Sequence, residues 1–332
     1  MSNLMIDANV TRLAILVGIV LGIIIYQRTG LTTGGIVVPG YLALFMREPG
    51  HIAVTLGLAS MTYIIVYQGL RRRYMLWGRQ LFESEVVTTL LLQLVWLVVL
   101  AGLATRFGGN AQSLYGIGVL LPSLIAHDMG KQGVNKTLLV CLGLSLAVFG
   151  VITSLQLAGL GSSQPFTLGD AVDFPYGKQD TLIAICLSVV VSSIMYHNSK
   201  LGQLRAGGFI SAAYIALFLG QPLDVVFIAV VTLISYGLVK LLSQHVLMFG
   251  RVTVASLLVT SLMVSWTLEL GLQTSFNYTP WQGARVLAMM IAALLANDAY
   301  KQGIARTALG IGIASAVVFT ILNLLKYVVV SA

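Results

Sequence analysis

The stretch Gly34-Gly35-Ile36-Val37-Val38-Pro39-Gly40-Tyr41-Leu42-Ala43-Leu44-Phe45 returns 173 residues later as Gly207-Gly208-Phe209-Ile210-Ser211-Ala212-Ala213-Tyr214-Ile215-Ala216-Leu217-Phe218. In the same register Pro49 falls on Pro222 and Tyr63 on Tyr236. After a one-residue slip Trp77-Gly78-Arg79 falls on Phe249-Gly250-Arg251, and after a further slip Lys131-Gln132-Gly133 falls on Lys301-Gln302-Gly303. An ordered series of this kind marks an internal repeat. It divides the chain into two homologous halves, 1–157 and 181–332, joined by a polar linker at 158–180 that carries Pro165, Asp170, Asp173 and Pro175.

Composition places both halves in a membrane. The 332 residues are 58% hydrophobic and only 9% charged, with a mean hydropathy of +0.93, whereas soluble domains carry roughly 25% charged residues. Each half holds six apolar segments, those of the first lying at about 13–27, 34–46, 51–70, 86–104, 114–126 and 137–157. They are continuously apolar rather than alternating, which favours spanning helices over a barrel. The expected fold is therefore an all-α polytopic membrane protein of two parallel repeats. Leu13 to Tyr26 reads as a retained first span, because the N-terminus lacks the basic region and small-residue cleavage site of a removable signal peptide.

The second and fifth segments are short, and 13 residues rise only about 20 Å as a helix against a hydrocarbon core of about 30 Å. Each contains a helix-breaking proline, Pro39 before Gly40 and Pro122 after Gly116 and Gly118, so each reads as a broken helix or a re-entrant pair. Their partners around 207–219 and 284–297 have Ala212 and Ala292 instead. If all six segments cross, one face of the membrane collects thirteen cations and four anions, a balance of +9, and the other face holds −1 of the +8 total. The positive-inside rule then makes the basic face cytoplasmic and leaves both termini outside a bacterial inner membrane. An even number of crossings makes the repeats parallel.

Polar residues that could carry function gather near that basic face. Arg71, Arg72, Arg73 and Arg79 frame a loop after the third segment, with Arg251 at the equivalent place in the second half. They suit orientation and lipid binding, or docking of a soluble partner or an anionic substrate. The run His127, Asp128, Lys131, Gln132, Gly133 is matched by Asn297, Asp298, Lys301, Gln302, Gly303. Acid and base three residues apart share a helix face, as an interfacial ion pair or as the lining of a passage, to which His127 would add a titratable group. Gly34, Gly35, Pro39, Gly40 and Tyr41 break helical regularity, for close packing or to free main-chain groups. Tyr63 and Tyr236 read as packing residues, His51, His197 and His245 as interfacial, and Glu269 and Arg285 as the only intramembrane charges. Cys141 and Cys186 lack companions at metal-ligand spacing, so no metal site is expected. No nucleotide loop or hydrolase motif occurs, so ATP chemistry would belong to a partner.

The order and spacing of Arg28-Thr29-Gly30, Gly34 to Leu44, Tyr63, Trp77-Gly78-Arg79, Leu124-Ile125-Ala126 and Lys131-Gln132-Gly133 resemble the membrane subunit of poly-γ-glutamate synthase, the PgsC/CapC family. Members are about the size of one half, so the chain looks like a tandem-duplicated form with a diverged second copy. The resemblance implies a non-catalytic subunit in capsule-type polymer synthesis that anchors a cytoplasmic ATP-dependent amide ligase of the PgsB/CapB type and assists polymer export. It also implies a PgsA/CapA-type accessory protein, with ATP and a divalent metal serving the ligase. The second half departs from the family pattern at Ala212-Ala213 and Ala292-Ala293, and the first at Pro122-Ser123 and Ala126-His127, so the halves would not act equally. A two-repeat secondary transporter of a small anionic solute, or a scaffold without a pathway, is the alternative reading.

Overall fold

The computed structural model describes residues 2–107, 117–118, 120–157, 178–197, 203–248, 250–281 and 285–331. Most of the linker 158–180 lies outside them, as do Gly116, Lys200 and Phe249. Contacts divide the chain into two units, Met1–Thr167 and Leu168–Ala332. The first contains α1 (Ser2–Thr29), α2 (Val38–Leu44), α3 (Pro49–Tyr63), α4 (Gly78–Phe107), α5 (Leu121–Gln132) and α6 (Val134–Leu157). Helix α3 runs on through a π-helical stretch, Ile64–Leu70, into a last turn at Arg71–Tyr74. The second unit contains α7 (Lys178–His197), α8 (Gly208–Leu217), α9 (Pro222–His245), α10 (Arg251–Phe276), α11 (Arg285–Gln302) and α12 (Ile304–Ser331). No strand occurs among the described residues.

Eight helices are long and apolar enough to cross a bilayer, four in each unit, and only 28–44% of each is buried within the protein. The remaining faces carry residues such as Leu139, Val98 and Leu241, all well exposed. Such wide apolar surface is stable only against lipid.

The prolines explain the short helices. Pro39 and Pro122 each stand in the first turn of α2 and α5, where the missing N–H would have had no partner in any case. In the second unit alanine replaces both, and α8 and α11 begin earlier in the shared register, with Ala212 and Ala292 inside them. Helix α2 is too short to cross alone, and extended chain makes up its depth. From the end of α1 the backbone turns back so that Thr33 lies beside Gly22, and Gly40 then packs against Ala14, Ile15 and Gly18. A Cβ at Gly40 would stand 2.7 Å from the Ile15 Cα, so only glycine permits this approach. Ala14 and Ala43 then share a core with Leu144, Val148 and Ile152. Residues 30–44 thus retrace most of α1 as an extended leg followed by a helix. Helix α5 is approached similarly, with the Ile117 N–H donating to Thr55 Oγ1 at 2.8 Å near the start of α3.

Alternating direction brings the ends of α1, α3 and α5 and the starts of α4 and α6 to one end of the first unit. Arg28, Arg71, Arg72, Arg73, Arg79, Lys131 and Lys136 collect there. Among the described side chains, Arg12, Glu83, Glu85, Asp128 and Asp224 are buried along with Glu269, because neighbouring helices enclose them in a way that segment hydropathy does not reveal.

Candidate functional site

The repeated Lys-Gln-Gly closes the same clamp in both units. Gln132 Oε1 accepts from the Thr32 N–H at 2.8 Å, and its Nε2 donates to the Thr32 carbonyl at 2.5 Å and to Thr137 Oγ1 at 3.0 Å. Gln302 accepts from the Arg205 N–H at 3.0 Å and donates to the Arg205 carbonyl at 2.8 Å and to Thr307 Oγ1 at 3.1 Å. A primary amide is the side-chain group that offers both an acceptor and donors in one plane, so it can satisfy a lone extended peptide as a β-ladder would. Gly133 and Gly303 follow with φ of 91° and 90°, turning the chain into α6 and α12. The motif residues therefore tie the extended leg to the fifth helix.

Other motif positions support that leg. Gly34 and Gly207 have φ of 78° and 72°, and a Cβ on either would press on Ile125 or Leu295. Asp298 accepts from the Gly207 N–H at 3.0 Å. Asp128, its counterpart, is buried. Tyr41 and Gly35 belong to the same leg and α2.

Beside the clamp, the first unit holds a buried polar cluster. His127 Nδ1 meets both Glu85 oxygens, at 2.9 and 3.2 Å. The Glu85 side chain is fully buried, while that of His127 is 24% exposed. The Phe82 ring packs edge-on against the imidazole at 5.2 Å. Tyr67, on the π-helical stretch, donates to the His127 carbonyl at 3.5 Å and stacks on Tyr63 at 5.2 Å. Arg79 pairs with Glu83 at 3.0 Å.

Outside the cluster the surface is basic and aromatic. The Arg71 guanidinium sits 4.8 Å from the Trp77 ring centre and 5.5 Å from that of Tyr67. Tyr74, Met75 and Trp77 are 63%, 80% and 69% exposed, and Arg72 and Arg73 are exposed beside them. Arg251 occupies the start of α10 in the second unit, where Gln244, His245 and Val246 stand in place of the three arginines. Sequence reasoning placed His127 at this end but overlooked Glu85 and Tyr67. Their one signal was the register itself, in which Tyr67, Glu85 and His127 fall on Lys240, Leu257 and Asn297. His51, at the start of α3, is buried against the Phe45 ring and pairs at 3.0 Å with the exposed Glu48.

A family model described as "Capsule biosynthesis CapC" matches residues 17–138 and 194–308, one stretch in each unit. The chain belongs to the CapC family. It is 34% identical over 145 residues to the capsule biosynthesis protein CapC of Bacillus anthracis, a match covering 44% of this chain and 95% of that relative. It is also 32% identical over 140 residues to the PGA biosynthesis protein CapC of Bacillus subtilis strain 168, covering 42% of this chain and 91% of that relative. Nearly the whole of each of these CapC relatives thus corresponds to less than half of this chain. No solved structure matches. The clamp, the paired glycines and the short second and fifth helices all lie within the CapC-matched stretches, in a multi-pass helical membrane protein.

Proposed function

We propose that this chain is the membrane subunit of a poly-γ-glutamate synthase, in which two CapC repeats are fused in tandem, and that it holds a soluble ATP-dependent amide ligase at the cytoplasmic face. The supporting observation is the exposed Arg71–Trp77 loop at the end of the first unit, within a family matched over both units. Arg71, stacked on Trp77 and Tyr67, is held in place, so it meets an acidic surface or a polyanion at lower entropic cost than a free side chain, and the exposed Arg72 and Arg73 add charge beside it. The basic end then faces the cytoplasm, as the positive-inside rule requires, and the termini face outward. Catalysis is assigned to the ligase. ATP and a divalent metal serve the ligase, and a PgsA/CapA-type protein completes the assembly that exports the polymer. Deleting the gene and restoring it with R72E/R73E tests this reading. Wild-type restoration of a γ-linked glutamate polymer, with failure of the variant despite normal membrane levels, is expected. A strain that makes the same polymer without the chain would refute it.

A proton-coupled carrier is the second reading, favoured by the buried Glu85–His127 pair, since ionisable groups within spans often serve transport. Uptake of a labelled acidic amino acid by vesicles holding this chain alone would establish it.

A further inference from the structure

We infer that Glu85, His127 and Tyr67 form a proton-exchange site belonging to the first unit alone, in which the part-exposed imidazole passes protons between water and the buried Glu85 carboxyl. Three independent features converge on it. The first is access. Glu85 is wholly buried and meets its partner through His127 Nδ1, while the ring is part-exposed near the basic end of α5, beside Lys131, which is the arrangement a shuttle needs and a sealed ion pair lacks.

The second is backbone. Helix α3 becomes π-helical over Ile64–Leu70, and Tyr67 within it lies across the Gly130 backbone, where any Cβ would collide with the phenol ring. Single π turns inside α-helices recur at functional sites because they re-aim one side chain at a cost in regular hydrogen bonding. The corresponding part of α9 is plain α-helix.

The third is the difference between repeats. At equivalent positions the second unit has Lys240 for Tyr67, Leu257 for Glu85, Asn297 for His127 and Tyr300 for Gly130, while Ser84, Val87, Thr88 and Leu90 around Glu85 keep close counterparts in Ser256, Val259, Thr260 and Leu262. The scaffold is retained and the titratable set is replaced together. The Glu85–His127 pair is not what joining these two helices requires, since α10 and α11 pack with Leu257 and Asn297 at those positions.

In the exchange, neutral His127 takes a proton from hydronium at Nε2, leaving water, and passes its Nδ1 proton to Glu85 Oε2. The products are a neutral imidazole and a carboxylic acid, and the reverse path returns the proton. The charged and titratable groups on the elements around the site are Tyr63, Tyr67 and Arg71 on α3 and its continuation, Arg79 and Glu83 on α4, Asp128 and Lys131 on α5, Cys141 on α6 and Tyr41 on α2.

Infrared difference spectroscopy of the full chain in lipid nanodiscs tests the site. The expected result is a protonated-carboxyl band that grows as pH is lowered and is absent from E85Q. Its hydrogen–deuterium exchange slows by about a hundredfold or more in H127N, the size expected when a positioned acid–base group is lost, and its frequency moves in Y67F. If E85Q does not assemble, E85D, which keeps and displaces the carboxyl, shifts the same band. No such band at any pH at which the chain stays folded, or exchange unchanged in H127N, overturns the inference.

Discussion

Replacing Gln132 by alanine removes three hydrogen bonds at once, two to the peptide of Thr32 and one to Thr137. Each contributes about 1 kcal/mol net, and a stranded buried N–H or C=O adds about 1–3 kcal/mol when water cannot reach it. Thr32 is 8% exposed, so part of that penalty applies and Q132A should cost about 3–5 kcal/mol. Q302A removes the matching set, with slightly longer bonds to Arg205 and Thr307, and should cost about 3 kcal/mol by the same reckoning. T137V removes the third bond together with the hydroxyl's own bond to the Gly133 carbonyl at 2.8 Å, and should cost about 2 kcal/mol. Q132E keeps the acceptor but turns a carboxylate toward the Thr32 carbonyl, so it should be no milder than Q132A. Equilibrium unfolding in mixed micelles, with the Q132A/T137V double variant closing the cycle, measures these terms. Losses below about 0.5 kcal/mol for both glutamine variants, the range of ordinary surface changes, would refute the idea that the amide supports the extended leg.

Other outcomes follow from single contacts. Gly40→Leu should prevent folding of the first unit, since even a Cβ stands 2.7 Å from the Ile15 Cα, and loss of folded protein in size-exclusion profiles reads it out. Asp224→Ala should cost about 3 kcal/mol by stranding the Tyr278 hydroxyl and the Trp281 N–H, both bonded to Asp224 Oδ1, with altered tryptophan fluorescence because Trp281 stacks on Phe218. Tyr278, in the loop after α10, has its pKa raised from 10 to about 12 by burial and then by Asp224. Its stabilising neutral form is fully present below pH 10 and lost as pH rises through 12, so alkaline unfolding should be steeper across that window in the wild type than in Y278F.

Much of this architecture was legible from residues. Apolar length gave the helices, but Pro39 and Pro122, read as breaks within the short segments, stand instead in the first turns of α2 and α5, where proline is tolerated. The mismatch between short segments and bilayer thickness was also visible, but its resolution was not. Residues 30–37 form no helix or strand, and irregular chain in an apolar setting needs a distant partner for its peptides. Gln132 supplies it from 100 positions away, a separation at which local pattern is silent. The repetition of Lys-Gln-Gly showed that the position is constrained without showing what the amide binds. Glu85 was hidden for a different reason: it reads as one acid in a loop-to-helix boundary, and only its pairing with a histidine 42 residues on separates it from a solvated charge.

The central claim is that this CapC-family chain holds a soluble ligase through the basic end of its first unit. Gentle solubilisation from the native membrane, followed by mass spectrometry of what co-purifies, tests it most directly. The account predicts a stoichiometric ATP-dependent amide ligase that is lost from R72E/R73E and retained by Arg251→Glu. Recovery of the wild-type chain without any such ligase, under conditions that preserve other membrane complexes, would contradict it.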